Sequence, residues 1–291
     1  MTMTTQPIPI SNKNISGVGV GLRQPHFKEI LQNKPNIPWF EAHTENYFHP
    51  SSPSSLYLDK IAEIYPISLH SIGLSLGSSE GVDKKHLQKI KETIARYNPQ
   101  LVSDHISWSS HGGVSVPDLL PVPCTKEAFK IFKKNITEVQ EYLGRQILVE
   151  NPSSYLAYKE QDMPEYELIT ELAKQTGCGI LLDVNNIHVS CHNLKLDSLE
   201  YIHNIPPELV QEIHLAGYNI NKVGDEEVFI DHHGDRVFED VWKLYAKAIQ
   251  HLGRIPTLIE WDTDVPELSV LIDEAQKAEN ICMDIFGEKA S

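Results

Sequence analysis

Ile180-Leu181-Leu182-Asp183 is a short apolar run that stops on a carboxylate. Short apolar runs between polar residues are typical of parallel strands that are buried on both faces. Five further runs also end on a histidine or an acidic residue, and they close at His70, His105, Glu150, His214 and Glu260. Because parallel strands deliver their last residues to one rim of a sheet, the pattern predicts a cluster of six metal-type side chains.

Eight strand-like runs in all are separated by segments that carry helical stripes of apolar residues. The runs span residues 17–22, 39–45, 67–74, 101–107, 146–151, 180–185, 210–216 and 257–261. Helices are predicted over residues 82–97, over 128–143 after a Thr125 cap, over 237–252 before Gly253, and from Pro164 and Pro266 onward. Residues 50–55 and 218–235 are interpreted as long loops on the same rim.

Strand followed by helix, repeated about eight times, predicts an α/β fold, a (β/α)8 TIM barrel, in preference to an open doubly wound sheet. The 291 residues are then one domain, with residues 1–14 as a flexible tail. The glycines of residues 17–22 lie inside an apolar run and lack the spacing and the lysine of a phosphate-binding loop.

The composition excludes several classes of protein. The net charge is −15, with 25 Lys and Arg against 40 Asp and Glu, which argues against a nucleic-acid partner. The four cysteines form no CxxC pair, so neither a zinc knuckle nor a disulfide framework is indicated. We expect a cytoplasmic protein, since the sequence shows neither a signal peptide nor an apolar run of transmembrane length.

The cluster divides into two ligand groups that share one carboxylate. His70, His105 and Glu150 come from successive runs, and Glu150, Asp183, His214 and Glu260 come from the next four. Mixed imidazole and carboxylate ligation suits iron, manganese or zinc better than magnesium or calcium. A third ion could be held by Asn185, Asp231 and His233. Asn185 follows Asp183 on the same side of the strand, and a loop would bring Asp231 and His233 over the barrel mouth.

Other polar residues near these runs have open roles. Glu41, His43 and Glu45 share one face of the second run and can support the site, relay protons, contact substrate or form a satisfied polar layer. We expect His43 and Asn151 to be catalytic together with Glu150 and Asp183. Three loop histidines are interpreted as exposed or supporting residues, namely His188, His192 and His232. Two tryptophans are interpreted as walls of the cavity, namely Trp108 and Trp261.

Eight motifs in order resemble the DUF692 family of multinuclear non-haem iron enzymes, which includes methanobactin biosynthesis protein B and the 3-thiaglutamate pathway enzyme. The motifs include Glu41-Ala42-His43-Thr44-Glu45-Asn46, Asp104-His105-Ile106-Ser107-Trp108, Glu150-Asn151-Pro152-Ser153-Ser154-Tyr155 and Asp183-Val184-Asn185-Asn186. The resemblance runs from about residue 17 to residue 262.

That resemblance implies a xylose isomerase-like barrel, two or three non-haem irons in mixed Fe(II)/Fe(III) states, and O2-dependent oxidation of cysteine residues in a ribosomally synthesised precursor peptide. It implies that one iron is held by His70, His105 and Glu150, and a second by Glu150, Asp183, His214 and Glu260. A third iron would be held by Asn185, Asp231 and His233. A separate small leader-binding protein is the implied partner. His188 and His232 depart from the family pattern and leave the number of irons open.

Two other classes of function stay open on the residues alone. A divalent-metal sugar isomerase or phosphodiesterase can occupy the same barrel, because carboxylate-rich two-metal sites perform both reactions. An isomerase usually places a lysine near the metals, and none of the lysines follows a strand run here. A metal-storage protein is the other alternative, and it would take up metal without consuming oxygen.

Overall fold

Parallel strands form a closed barrel in the structure, a computed structural model that describes residues 14–112 and 114–287. Its strands are β1 (Val18–Gly21), β2 (Phe40–His43), β3 (Ile67–His70), β4 (Val102–His105), β5 (Ser107–His111), β6 (Val114–Pro121), β7 (Leu148–Glu150), β8 (Gly179–Asp183), β9 (Val210–Leu215), β10 (Tyr218–Val223), β11 (Glu226–Asp231) and β12 (Thr257–Ile259). The barrel order is β1-β12-β9-β8-β7-β4-β3-β2. The remaining four strands form two antiparallel hairpins, β5–β6 and β10–β11.

Helices connect the barrel strands and cover the outside of the barrel. They are α1 (Phe27–Asn33), α2 (Pro53–Ala62), α3 (Lys84–Tyr97), α4 (Lys126–Leu143), α5 (Glu165–Thr176), α6 (Val184–Leu194), α7 (Ser198–His203), α8 (Glu239–Leu252) and α9 (Leu268–Phe286). The predicted (β/α)8 barrel is confirmed: all eight sequence runs are barrel strands in chain order. The predicted tail over residues 1–14 lies, apart from Asn14, outside the described residues.

Every barrel strand ends earlier than its apolar run suggested, and the ends of β2, β3 and β8 bear on the site. β2 gives way to a 3-10 turn over Thr44–Tyr47, and β3 stops at His70 although the run continues to residue 74. β8 stops at Asp183 because this residue caps α6, with Oδ1 accepting a hydrogen bond from Asn186 N at 2.6 Å. Asn185 is therefore the second residue of a helix, and its interpretation as a strand residue was wrong.

Both regions interpreted as loops contain regular structure. Residues 218–235 include β10 and β11, joined at Gly224-Asp225, where Gly224 has a φ of +66°. Residues 50–55 run into α2, whose first turn is capped by Ser52 Oγ on Ser55 N. The predicted Thr125 cap of α4 is present, since Thr125 Oγ1 accepts from Ala128 N at 3.1 Å.

Two proline predictions and one helix boundary differ slightly from the structure. Pro164 is the N-cap of α5 and stands one residue before the helix, whereas Pro266 precedes the Glu267 N-cap of α9. The Pro266 carbonyl is instead 2.7 Å from His26 Nε2. Val237 lies before α8, which begins at Glu239 and ends at the predicted Gly253.

The interior of the barrel holds a polar layer beneath the rim. Glu41, Ser68, Ser103 and Glu212 are each at most 1% exposed. Glu41 of β2 lies 3.2 Å from His214 of β9, and β1 and β12 stand between these strands in the barrel order, so this contact crosses the interior. Apolar side chains on the alternate positions pack outward against the helices. No helix in the described ranges is long and apolar enough to cross a membrane.

Candidate metal centre

The first ligand group lies where β3, β4 and β7 end side by side. His70, His105 and Glu150 are the last residues of these neighbouring strands and are nearly inaccessible to solvent. Glu150 Oε2 is 3.4 Å from His70 Nε2 and 3.2 Å from His105 Nε2. One potential ligand atom from each residue lies within 4.8 Å of the others, so the group can hold a metal ion.

The second group shares Glu150 with the first. Its other carboxylate oxygen, Oε1, lies 3.8 Å from His214 Nδ1, and this nitrogen is 3.0 Å from Glu260 Oε2. Asp183 completes the group, and again the ligand atoms of the four residues are within 4.8 Å of one another. The two oxygens of Glu150 thus face different groups, which is the arrangement required for a bridging carboxylate.

The predicted third set is also brought together, although partly by different elements from those expected. Asp231 ends β11, and its Oδ1 accepts from Asn185 Nδ2 at 2.9 Å and lies 2.6 Å from His233 Nε2. His233 Nδ1 is 3.3 Å from Glu260 Oε2, which joins this set to the second group. Asp231 ends a hairpin strand and Asn185 lies in the first turn of α6, whereas His233 lies in the loop after β11, as the sequence suggested.

His43 and Asn151, the other residues predicted to be catalytic, have different surroundings. His43 Nε2 is 3.5 Å from Asp262 Oδ1 and 3.8 Å from Glu260 Oε1, and it faces the cavity. Asn151 Nδ2 donates to the Asp183 carbonyl at 3.0 Å, while its Oδ1 accepts from Asp183 N at 2.9 Å. Asn151 thus holds the backbone that carries the Asp183 carboxylate.

Sequence reasoning missed Arg23 and Asp262 at the barrel mouth. Arg23 pairs with the Asp262 carboxylate, donates to the Trp261 carbonyl at 2.9 Å and lies 3.2 Å from His43 Nε2. Asp262 follows Glu260 by two residues, so the spacing itself was a signal that it faces the same side. Neither Trp108 nor Trp261 lines the cavity, so their interpretation as its walls was wrong; Trp261 alternates with inward-facing Glu260.

The three histidines interpreted as loop residues lie outside the ligand groups, but that interpretation was wrong for His188 and His192, which are in α6. His192 stacks on Phe229 with ring centroids 3.5 Å apart, and His188 packs against Tyr218 and Phe229. His232 lines the cavity beside Thr263. Their positions agree with supporting roles beside the hairpin β10–β11 and at the cavity edge.

Several buried polar atoms of the ligand groups form no hydrogen bond within the described protein. They include Glu150 Oε2, Asp183 Oδ2 and Asn185 Oδ1. Buried polar atoms are nearly always hydrogen-bonded, and buried carboxylates are costly unless a cation or a proton neutralises them. These free oxygens all belong to residues of the ligand groups, so the donor set fits transition-metal ions.

The charges of the cluster are strongly coupled in the metal-free protein. Burial raises the pKa of Asp183 to about 7, and burial together with nearby carboxylates holds the pKa of Glu150 well above its usual range. Burial would lower the pKa of His214, but Glu41, Glu260 and Glu150 outweigh it and hold this pKa well above its ordinary value. The cluster therefore retains protons near neutral pH, which a bound cation would displace.

A cavity of about 980 Å³ opens above the ligand groups. His70, His105, His233 and Glu260 form part of its floor. Its outer wall comes from the turn before α3, the hairpin β5–β6 and the segment after β7, and includes Glu80, Asp83, Val116, Asp118 and Tyr155. A pocket of this size accommodates several residues of a peptide or one smaller molecule.

Residues 17–283 match the family model described as RiPP precursor modification enzyme MbnB/TglH/ChrH. A UPF0276 protein of Psychromonas ingrahamii is 48% identical over 265 residues, covering 91% of this chain and 93% of that protein. A UPF0276 protein of Chromobacterium violaceum is 41% identical over 282 residues, and the alignment covers 97% of this chain and 97% of that protein.

Solved structures with a similar backbone share little sequence with this chain. A xylose isomerase-like TIM barrel protein from Mycobacterium smegmatis in complex with magnesium has a TM-score of 0.60 at 10% identity, covering 94% of this chain and 98% of that one. D-psicose 3-epimerase in the presence of D-fructose has a TM-score of 0.58 at 10% identity, covering 94% and 100%. These similarities confirm the predicted xylose isomerase-like fold and carry no inference about the reaction.

Proposed function

Because the chain belongs to the RiPP precursor modification enzyme family MbnB/TglH/ChrH, we propose that it uses iron and O2 to oxidise cysteine residues of a ribosomally synthesised precursor peptide. One observation carries the proposal most directly. The two oxygens of Glu150 face two separate groups of imidazole and carboxylate ligands at the floor of an open cavity. Histidine-rich groups of this kind suit iron better than magnesium or calcium.

The ligand groups supply positions for two or three irons. His70, His105 and Glu150 would hold one, and Glu150, Asp183, His214 and Glu260 a second. Asn185, Asp231 and His233 would hold a third next to Glu260. Bound iron supplies redox chemistry with O2 and favours the thiolate form of a substrate cysteine.

The protein's own residues orient the site and handle protons. Asn151 fixes the Asp183 backbone through two hydrogen bonds, which keeps Asp183 Oδ2 directed into the second group. His43 is partly buried at the cavity, between Arg23 and Glu260. Arg23 donates to its Nε2, so His43 can accept a proton from a substrate thiol only when Arg23 turns wholly toward Asp262.

A peptide is the substrate that the cavity and its rim suit best. Ile72 is 43% exposed, Tyr155 is 38% exposed and Leu156 is 80% exposed, and Ile72 and Tyr155 line the cavity directly. Exposed apolar side chains beside a pocket commonly mark a surface that binds a peptide or a protein. We infer that a separate leader-binding protein presents the precursor, and that the reaction takes place in the cytoplasm.

The alternative of a sugar isomerase or a phosphodiesterase has less support. The similarity to sugar epimerases is limited to the fold, at 9% to 16% sequence identity. No lysine or arginine is found among the described residues that line the cavity, although an isomerase usually places a lysine near its metals. The alternative predicts turnover of sugars without oxygen consumption, which separates it experimentally.

The test combines metal analysis with a peptide assay. Protein purified without added cations would first be analysed for metals, then loaded with ferrous iron under anaerobic conditions. A cysteine-bearing precursor peptide encoded beside this gene, its co-encoded leader-binding protein and O2 would be added, and the peptide mass measured. We expect iron to be retained and the peptide to change mass only when O2 is present.

The matched control is Glu150→Gln, which preserves shape but removes the carboxylate shared by both groups. It should lose iron and peptide modification together. An unchanged peptide mass with iron-loaded wild-type protein, O2 and the partner all present would contradict the proposal. So would conversion of a sugar or a phosphodiester by protein that consumes no O2.

A further inference from the structure

His214 lies between carboxylates on two levels of the barrel interior. Its Nδ1 faces upward, 3.0 Å from Glu260 Oε2 and 3.8 Å from Glu150 Oε1. Its Nε2 faces the polar layer, 3.2 Å from Glu41 Oε1. The ring is completely buried, so neither nitrogen can exchange these neighbours for bulk water.

Glu41 is itself held in place. Ser68 lies opposite Glu41 in the register of β2 and β3, and its hydroxyl donates to Glu41 Oε2 at 2.7 Å. The remaining oxygen, Oε1, is the one that faces His214. Both residues are at most 1% exposed. The carboxylate is therefore fixed before any cation binds above it.

We propose that Glu41 is a positioning residue, which keeps a proton on His214 Nε2 and so leaves Nδ1 as the nitrogen that binds metal. The inference rests on the metal centre proposed above and adds how one ligand is oriented. A neutral imidazole carries one donor and one acceptor nitrogen, and the partner of one nitrogen determines the role of the other. A carboxylate that accepts from the non-ligating nitrogen also makes the ligating nitrogen more basic.

His70 shows the same principle with the nitrogens exchanged. Its Nδ1 is 2.8 Å from Ser103 Oγ in the polar layer, and its Nε2 faces Glu150. In each ring one nitrogen contacts the polar layer and the other faces the centre, which is Nε2 in His70 and Nδ1 in His214. Glu212 is also in the layer, but its nearest oxygen is 3.7 Å from His214 Nε2, farther than the oxygen of Glu41.

The test uses Zn²⁺ as a diamagnetic probe in protein labelled with ¹⁵N at histidine. Wild-type protein, Glu41→Gln, Glu41→Leu and Glu212→Gln would be compared for zinc affinity and for the ring-nitrogen shifts of His214, assigned with His214→Gln. We expect wild-type His214 to bind zinc through Nδ1 and to carry its proton on Nε2. The second-group affinity should fall by about 10- to 100-fold in Glu41→Leu, with Glu41→Gln intermediate because an amide oxygen still accepts.

Glu212→Gln is the matched control, since it removes a carboxylate from the same layer without touching the Glu41 contact. It should lower the affinity by less than Glu41→Leu does, because the Glu212 oxygen is 3.7 Å from His214 Nε2 and the Glu41 oxygen is 3.2 Å away. Zinc on Nε2 of wild-type His214, equal affinities in Glu41→Leu and wild type, or an equal loss in Glu212→Gln would each overturn the role of Glu41. Wild-type protein that binds no zinc at all would overturn the metal centre as well, which distinguishes the two failures.

Discussion

At the scale of single residues, Glu150 differs from the other ligands because it belongs to both groups. We predict that Glu150→Gln removes both ions, whereas His105→Gln removes only the ion of the first group. The reason is that a neutral amide cannot neutralise two cations. Metal content after anaerobic loading and gel filtration measures the difference, with an expected loss of more than tenfold in affinity for each ligand removed.

Asp183→Asn is the control for Glu150→Gln, because Asp183 belongs to the second group alone. It should spare the first ion. If Glu150→Gln retained one full equivalent while Asp183→Asn lost both, the sharing of Glu150 between groups would be wrong.

The protons held by the cluster predict a pH dependence of metal binding. Burial raises the pKa of Asp183 to about 7 and that of Glu150 well above its usual range, so both hold protons at or below neutral pH in the metal-free protein. A cation must displace these protons, and affinity therefore rises with pH. We expect at least roughly tenfold weaker binding at pH 6 than at pH 8.

Calorimetric titration in buffers of different ionisation enthalpy would measure the proton release directly. Release of one or more protons per ion at pH 6.5 is expected from the ligand chemistry. Affinity that is constant between these pH values would show that the ligands are already deprotonated and would contradict the prediction.

At the scale of secondary structure, the spacing of apolar residues in the sequence predicted the barrel strands, whereas a hairpin and a helix start that depend on local turns were missed. The buried strands are continuous apolar runs, so all eight were found, and the six residues predicted at their ends come together in the structure. The hairpin β10–β11 was missed although Gly224-Asp225 lies between two strand-like segments, a recognised hairpin signal. Asp183 was interpreted only as a ligand, although it also caps α6 and thereby ends the strand before Asn185.

A polar layer that includes Glu41 was one of the alternatives drawn from the sequence, but its other members and its contacts could not be predicted. Glu41, Ser68 and Glu212 are ordinary polar residues within short runs, and only barrel closure brings β2 near β9. The Arg23 contact with Asp262 joins residues far apart in the chain for the same reason. Pairings of this kind depend on three-dimensional register, which periodicity does not specify.

The cap of α4 gives a stability prediction for one element. Thr125→Ala removes the hydrogen bond from Ala128 N to Thr125 Oγ1 and should lower the free energy of unfolding by about 1 kcal/mol. Thr137→Ala is the control in the same helix, since Thr137 Oγ1 only donates to the Lys133 carbonyl within the helix. Chemical denaturation should show Thr137→Ala unchanged or slightly more stable, because alanine has the higher helix propensity. Equal destabilisation by both changes would show that the cap contributes nothing specific.

At the scale of the whole molecule, the net charge is −15, and the same excess of acidic side chains is found in the cavity wall. Among the described residues, no lysine or arginine lines it. Five carboxylates of its wall lie outside the ligand groups, and they are Glu45, Glu80, Asp83, Asp118 and Asp262. Peptides with lysine beside the cysteine should therefore bind about three- to tenfold more tightly than peptides with glutamate there.

Raising the salt concentration should reduce that preference, because ionic screening weakens contacts between exposed charges. Binding of labelled peptides to the iron-loaded protein without O2, at low and high salt, measures both effects. A peptide with glutamine at the same position is the neutral control and should fall between the two. Equal affinity for all three peptides would exclude an electrostatic role for the wall.

Closure of the barrel has a consequence for when the centre can be assembled in a cell. β1 pairs with β12, so Val18 lies opposite Thr257 and the first strand meets the last. Glu260, which contacts both His214 and His233, follows this last strand. A chain still being translated cannot complete that pairing until its final segments leave the ribosome. A nascent polypeptide lacking its C-terminal segments would accordingly offer a metal ion an incomplete second group, because Glu260 would be missing.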